Sequence, residues 1–463
     1  MINFVLFIPA MVAFAMLFTQ KPATVLMKIY MPCLMLAPLY WRIWVSGISL
    51  DASTFVAVIL AVAGVVTQYR TLRFTLLDFC IFANLFSAFI ADIMHHPFTW
   101  AVYATLQTAF AIFCPYYIGR TLIEQTGMRV RFAKSVVYPL AAVAIFSLWE
   151  FRMTSNPFQN FVTAITHASV GWGRQMRWGF GRVAGPYGHA IVAGMVFTIG
   201  VMLQLWLLDR RRAEQGVNGL RAKPERMQVC MLLAALLGVF IAQSRGPWIG
   251  CALGVMVASI GLAENRKRAA ARMLTIVVIF AALTGAVLYK YTDTSAEKTK
   301  DLNADVDQRN AVYRRELIDT YIPMIKAGGV WGWGSPISVS VDSWGYGKTQ
   351  ASIDNEYIRL AIAQGYFGLT IFLVMIVGAL VRLVRNAMRF KRREDIVLAY
   401  CLIGALIASA STLSTVFLGQ PLMQLMFMIM GWSESLRPGA EEAAIVPAVA
   451  ESATTYQLGR VYV

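Results

Sequence analysis

Long apolar runs separated by short basic clusters dominate this chain. Runs near 3–19, 25–46, 53–68, 75–92, 99–118 and 134–151 come first. Others follow near 189–208, 228–243, 247–263, 273–291, 358–380, 396–412 and 415–432. Several reach the roughly 20 helical residues needed to cross a hydrocarbon core. The pattern predicts an all-α polytopic membrane protein with about 13 transmembrane helices, uncertain by one. In the final pair Gly419-Gln420-Pro421 interrupts the apolar pattern. Met1 to Thr19 lacks a basic n-region and reads as a retained span.

Two stretches are too polar to span. Residues 151–188 form an interfacial segment, and residues 292–356 a large external loop. They divide the chain into N-terminal spans over 1–150, a hairpin-containing set over 189–291, C-terminal spans over 357–432 and a polar tail over 433–463. That tail reads as cytoplasmic and poorly ordered.

Charge supplies orientation. Of 463 residues 58% are hydrophobic and 14% charged, and the formal net charge is +16. In a soluble domain that balance suggests nucleic acid. Here much of it lies in short loops, where it marks cytoplasmic turns. Clusters at Arg129, Arg131 and Lys134, at Asp209-Arg210-Arg211-Arg212, at Arg266-Lys267-Arg268 and at Lys391-Arg392-Arg393 all fall on that side. No nucleic-acid partner is expected. Six cysteines, scattered singly in apolar stretches, give neither a disulfide framework nor a metal site.

Against this frame one motif stands out. Ser244-Arg245-Gly246-Pro247-Trp248 interrupts an apolar hairpin whose outer flanks are both basic. Both feet are therefore cytoplasmic, and Arg245 sits at the tip, facing the periplasm or exterior. An arginine placed at membrane depth costs about 2.5–3.5 kcal/mol on insertion scales. Arg245 is either a ligand group or a headgroup-snorkelling side chain.

The external segments carry further candidates. Arg174, Arg177 and Arg182 alternate with Trp172, Trp178 and Phe180. This suits an interfacial segment that either belongs to an aromatic belt or binds anions through arginine forks. Gly185-Pro186-Tyr187-Gly188-His189 then opens a helix, whose N-terminal amides also attract anions. His189 is a candidate ligand or simply a satisfied polar residue. In the long loop, Gln308 to Ala327 has helical periodicity beside Arg309, and Gly332-Trp333-Gly334 is a tight turn or a weak phosphate cradle. At bilayer re-entry stand Asp354, Asn355, Glu356 and Tyr357. Asp354 and Glu356 are candidate general bases. Asp354 reads equally well as the helix N-cap.

Taken in order, Arg182 with Gly185-Pro186, Ser244-Arg245-Gly246, Arg309 ahead of Gly332-Trp333-Gly334, then Asp354-Asn355 with Tyr357 and Gly365-Tyr366-Phe367-Gly368 resemble the O-antigen ligase and Wzy-type polymerase superfamily of membrane proteins. The resemblance covers about residues 150–380. It implies a GT-C-type glycosyltransferase using undecaprenyl-diphosphate-linked oligosaccharide as donor and a growing polysaccharide as acceptor, at the periplasmic face of the bacterial inner membrane. It implies diphosphate contacts for Arg182, Arg245 and Arg309, with Arg174, Arg177, His189, Asn355 and Tyr357 as weaker binding candidates. Ligases carry histidine before the Asn-x-Tyr pair. Here that residue is Asp354, a departure pointing towards a polymerase with Asp354, or failing that Glu356, as base.

No cofactor or metal is expected, and chain-length or export proteins are possible partners besides membrane lipid. The rivals are an O-antigen ligase, a lipid-linked oligosaccharide flippase and an inactive export scaffold. A flippase would place its charges near the midplane and often show internal repeats; here the informative charges share one side.

Overall fold

The computed structural model describes residues 2–45, 48–125, 127–167, 175–214, 226–275, 321–335 and 353–438. It is mostly helical, and among the described residues seven helices are long and apolar enough to cross a membrane. They are Leu76–His95, Phe98–Leu122, Met128–Met153, Ala190–Ala213, Arg245–Leu262, Glu356–Arg389 and Arg393–Thr415. Shorter apolar helices run over Phe4–Leu17, Pro22–Leu36, Ala52–Gln68 and Arg226–Ile241. A further helix covers Gln420–Ser435.

Local chemistry sets many boundaries. Thr75 and Asp78 form a reciprocal capping box ahead of Leu76–His95. Asp51 caps Ala52–Gln68, and Asn156 with Pro157 at the first helical position starts Pro157–Thr166. The apolar run 25–46 does not stay helical. Its helix ends at Leu36, and Ile43–Val45 pairs antiparallel with Ile48–Leu50. Pro38 accounts for the difference, since proline disfavours helical geometry in the residue before it. The last helix also runs to Ser435, past the start of the expected tail.

Helix Leu76–His95 shows how the bundle sorts its faces. Phe79, Phe82 and Phe86 point outward while Leu77, Ile81, Asn84 and Ala88 are buried. An exposed phenyl stripe on a long apolar helix suits hydrocarbon contact. Helices Arg245–Leu262 and Arg393–Thr412 approach closely along Gly246, Gly250 and Gly254, where an added Cβ would meet Thr415, Ala408 and Gly404. Small residues every fourth position allow this contact in a membrane bundle.

The two ends of the bundle differ. At one end Arg129, buried, pairs with Glu124 and with Asp395 at 2.6 Å each, and Arg393 pairs with Asp209 at 2.9 Å. Arg120 is likewise buried against Asp78. These arginines, legible in sequence only as topology signals, tie helix ends together. At the opposite end lie Glu150, Arg182, Ser244 and Asp354, because helix Met128–Met153 carries Arg129 at its start and Glu150 near its finish.

Candidate functional site

A short ribbon seated on the hairpin tip builds this end. Met176–Arg177 pairs antiparallel with Phe180–Gly181. Arg177 donates Nη1 to the Gln243 carbonyl at 2.7 Å, and Gln243 Nε2 donates to the Arg177 carbonyl at 3.1 Å. The Val183 amide donates to the Ile241 carbonyl, and Trp178 lies 5.9 Å from the Trp248 ring. Gln243 adopts a left-handed conformation (φ 47°), which turns the chain between Ile241 and Arg245.

Arg182 leaves this ribbon towards the hairpin. Its Nη2 donates to Ser244 Oγ at 2.8 Å and its Nη1 to Gln175 Oε1 at 2.6 Å, while its buried Nε has no hydrogen-bond partner. Ser244 Oγ in turn donates to the Ala242 carbonyl. Burial lowers the Arg182 pKa to about 10, with repulsion from Arg177 adding to this and Asp354 opposing it. The group remains cationic at neutral pH. Arg245 follows Ser244 as the first residue of its helix and is exposed.

Glu150 holds the Gly185-Pro186 turn behind Arg182. It accepts from the amides of Ala184 at 3.1 Å and Gly185 at 2.9 Å, and from Asn156 Nδ2 at 3.0 Å. Asn156 Nδ2 and Tyr40 Oη also donate to the Gly185 carbonyl. Sequence reasoning missed Glu150, which looks like the polar end of a span. The signal available was an acid ending an apolar helix just before an arginine-rich segment.

His189 caps the helix that follows. Its Nδ1 accepts from the Ile191 amide at 3.1 Å. Burial and the Arg182 charge lower its pKa to about 4, against an opposing contribution from Asp354. His189 is therefore neutral at physiological pH.

Asp354 is exposed and close enough to Arg182 and His189 to act on both electrostatically. Asn355, not Asp354, is the N-cap: its Oδ1 accepts from the amides of Tyr357 at 3.0 Å and Ile358 at 3.2 Å. Glu356 is buried, paired with Arg359, and accepts from the Leu418 amide at 2.9 Å. Tyr357 donates its hydroxyl to the Ala410 carbonyl at 2.7 Å. Asn355, Glu356 and Tyr357 thus fix the helix, and Asp354 is left at the edge of the Arg182 cluster. Arg174 and Arg309 lie outside the described residues.

The glycine-tryptophan turn is structural. Trp333 and Gly334 amides donate to the carbonyls of Ile362 and Ala363, and the Tyr366 and Phe367 amides to those of Gly329 and Val330. The turn fills a break in helix Glu356–Arg389 at Gly365, where φ is 64°. A cavity of about 980 Å3 opens beside the cluster, with His189 and Glu356 in its wall. Among the described residues no group of three or more His, Cys, Asp or Glu side chains is placed to hold a metal ion.

A polytopic helical membrane protein with a cationic, carboxylate-edged cluster at one end of its bundle is the class these features define. Residues 230–373 match the family model described as O-antigen ligase, and this region is O-antigen ligase-like. No curated protein matches the chain. The match spans the Arg245 hairpin and the Asp354 re-entry and stops short of Arg182 and His189 on the N-terminal side. It supports a glycosyl-transferring role of ligase or polymerase type in polysaccharide assembly.

Proposed function

We propose that this chain is an inner-membrane glycosyltransferase of GT-C-type architecture that polymerises undecaprenyl-diphosphate-linked repeat units at the periplasmic face. The thirteen-span topology expected from the sequence goes with this reading. The observation that carries it is the grouping of Asp354 with Arg182 and His189 while Asn355 takes the capping role.

The chemistry is a single displacement. An acceptor hydroxyl oxygen bonds to the anomeric carbon, the bond from that carbon to the diphosphate oxygen breaks, and its electron pair leaves with the diphosphate. Asp354 takes the hydroxyl proton. Arg182, Arg245 and Arg309 offset the charge growing on the leaving group, in place of a divalent ion. Attack opposite the leaving group inverts the anomeric configuration.

Transfer of finished glycan to lipid A core is the second reading, favoured by the description of the matching family model. Glycan analysis on a deletion background separates the two. Single repeat units without polymer support the polymerase; full-length polymer that fails to reach lipid A core supports the ligase. Loss of external repeat units would instead indicate a flippase.

A further inference from the structure

The cavity of about 980 Å3 does not stop at the cluster. Asn84 lines it, and Asn84 precedes His95 by three helical turns, about 16 Å along the axis. The cavity therefore reaches well into the bundle. Polar groups at such depth are unfavourable unless something satisfies them. Asn84 is 1% exposed, donates Nδ2 to Gln364 Oε1 at 3.3 Å, and its Oδ1 is buried with no hydrogen-bond partner. Gln364 lines the same space.

The other walls narrow the ligand. Trp100 and Tyr103, one turn apart on helix Phe98–Thr108, present aromatic surface. Among the described residues, the charged lining consists of Arg42, Asp92, Glu356 and Arg359, two of each sign, with His189 neutral. Arg359 is paired with Glu356, and Asp92 accepts from the Ser335 amide. A diphosphate needs net positive charge, which this lining lacks. A lipid tail would leave the buried Asn84 Oδ1 without a hydrogen-bond donor. A neutral chain of hydroxyls with flat apolar ring faces satisfies the amides and covers the aromatic rings together.

We propose that this cavity is an oligosaccharide-binding chamber, which holds the sugar chain while its reacting end lies at the Arg182 and Asp354 cluster. The proposal rests on the lipid-linked glycan reading above. Both the donor's sugars and the acceptor's share this chemistry.

The test is calorimetric titration of the purified full-length protein in nanodiscs. The probe is the oligosaccharide released by mild acid from the host's lipid-linked fraction. Saturable binding is expected, weakened at least tenfold in Asn84→Leu and in Tyr103→Ala. Two variants on separate helices, each checked for monodisperse elution, guard against a folding failure. Absent binding, or binding unchanged in both variants, overturns the chamber. The donor and acceptor sources separate in turnover assays, by which substrate's KM Asn84→Leu raises. Binding without any polymer or ligation product would sink the proposed function and leave the chamber standing. Turnover with unchanged variant binding would do the reverse.

Discussion

Arg182 and Ser244 are joined directly, guanidinium Nη2 to hydroxyl oxygen at 2.8 Å, although 62 positions separate them. The bond locks the interfacial segment onto the hairpin tip and brings Arg182 to the residue beside Arg245. Two motifs that look independent along the chain therefore form one cationic end.

Lysine at 182 cannot reproduce this arrangement. The guanidinium spans Gln175 and Ser244 with two separate nitrogens, whereas an ammonium is a single point. Loss of a charged hydrogen bond, worth about 1.5–3 kcal/mol, gives roughly a 10- to 100-fold fall in turnover for Arg182→Lys. The protein should still accumulate in the membrane. Polymer yield beside membrane abundance checks this; unaltered yield would make Arg182 an interfacial anchor.

Glu150 acts on the site through Arg182's neighbours. Glu150→Ala removes the acceptor for two buried amides and for Asn156. A destabilisation of about 1–3 kcal/mol is expected, from donors left unsatisfied. Glu150→Gln keeps one carbonyl acceptor and should fall between alanine and wild type. Thermal unfolding of the three proteins orders them.

His189 gives a pH signature. Its folded pKa of about 4 lies below the ordinary 6.5. Between those values the unfolded chain binds more protons, so stability is fully present above 6.5 and falls as pH drops towards 4. The contribution is at most about 3 kcal/mol. His189→Asn retains a capping side chain and should lack this acid limb. Unfolding midpoints of both proteins across the interval test it, and identical slopes would contradict the assignment.

Gly365 admits no side chain. Its φ of 64° is left-handed, and an added Cβ would overlap the Val330 carbonyl. Gly365→Ala should destabilise by about 1–3 kcal/mol and loosen the 328–334 turn from its helix. Limited proteolysis within that turn reports the loosening.

The candidate cluster was partly legible because its groups break an apolar pattern. Arg182, Ser244-Arg245 and Asp354 are polar residues at the ends of hydrophobic runs, where solvation gives them a reason to be noticed. The resemblance of residues 150–380 to ligases and polymerases rests on the order of these motifs together with Arg309, Gly332-Trp333-Gly334 and Gly365-Tyr366-Phe367-Gly368, and the family match over 230–373 agrees with it. Glu150 and Asn84 were hidden for the opposite reason, since each sits inside or at the edge of a run and its partners come from other helices. Gly365 was seen only as part of a motif: the residues around it stay apolar, so hydropathy passes through the break without a signal. Arg120 and Arg129 carried two messages, and only the topological one shows in sequence. Their buried carboxylate partners become evident once the helices are assembled.

The central claim is that Asp354 takes the acceptor proton. Turnover of purified enzyme with lipid-linked repeat units, comparing wild type with Asp354→Asn, measures this most directly. The account predicts a fall of about two to four powers of ten, the usual worth of general-base catalysis, with donor binding retained. Because Asn355 is the cap, Asn355→Ala should destabilise by about 0.5–2 kcal/mol, whereas Asp354→Asn leaves the cap in place. Asp354→His should keep some turnover, with its pH profile shifted towards neutrality. A fully active Asp354→Asn enzyme would contradict the account.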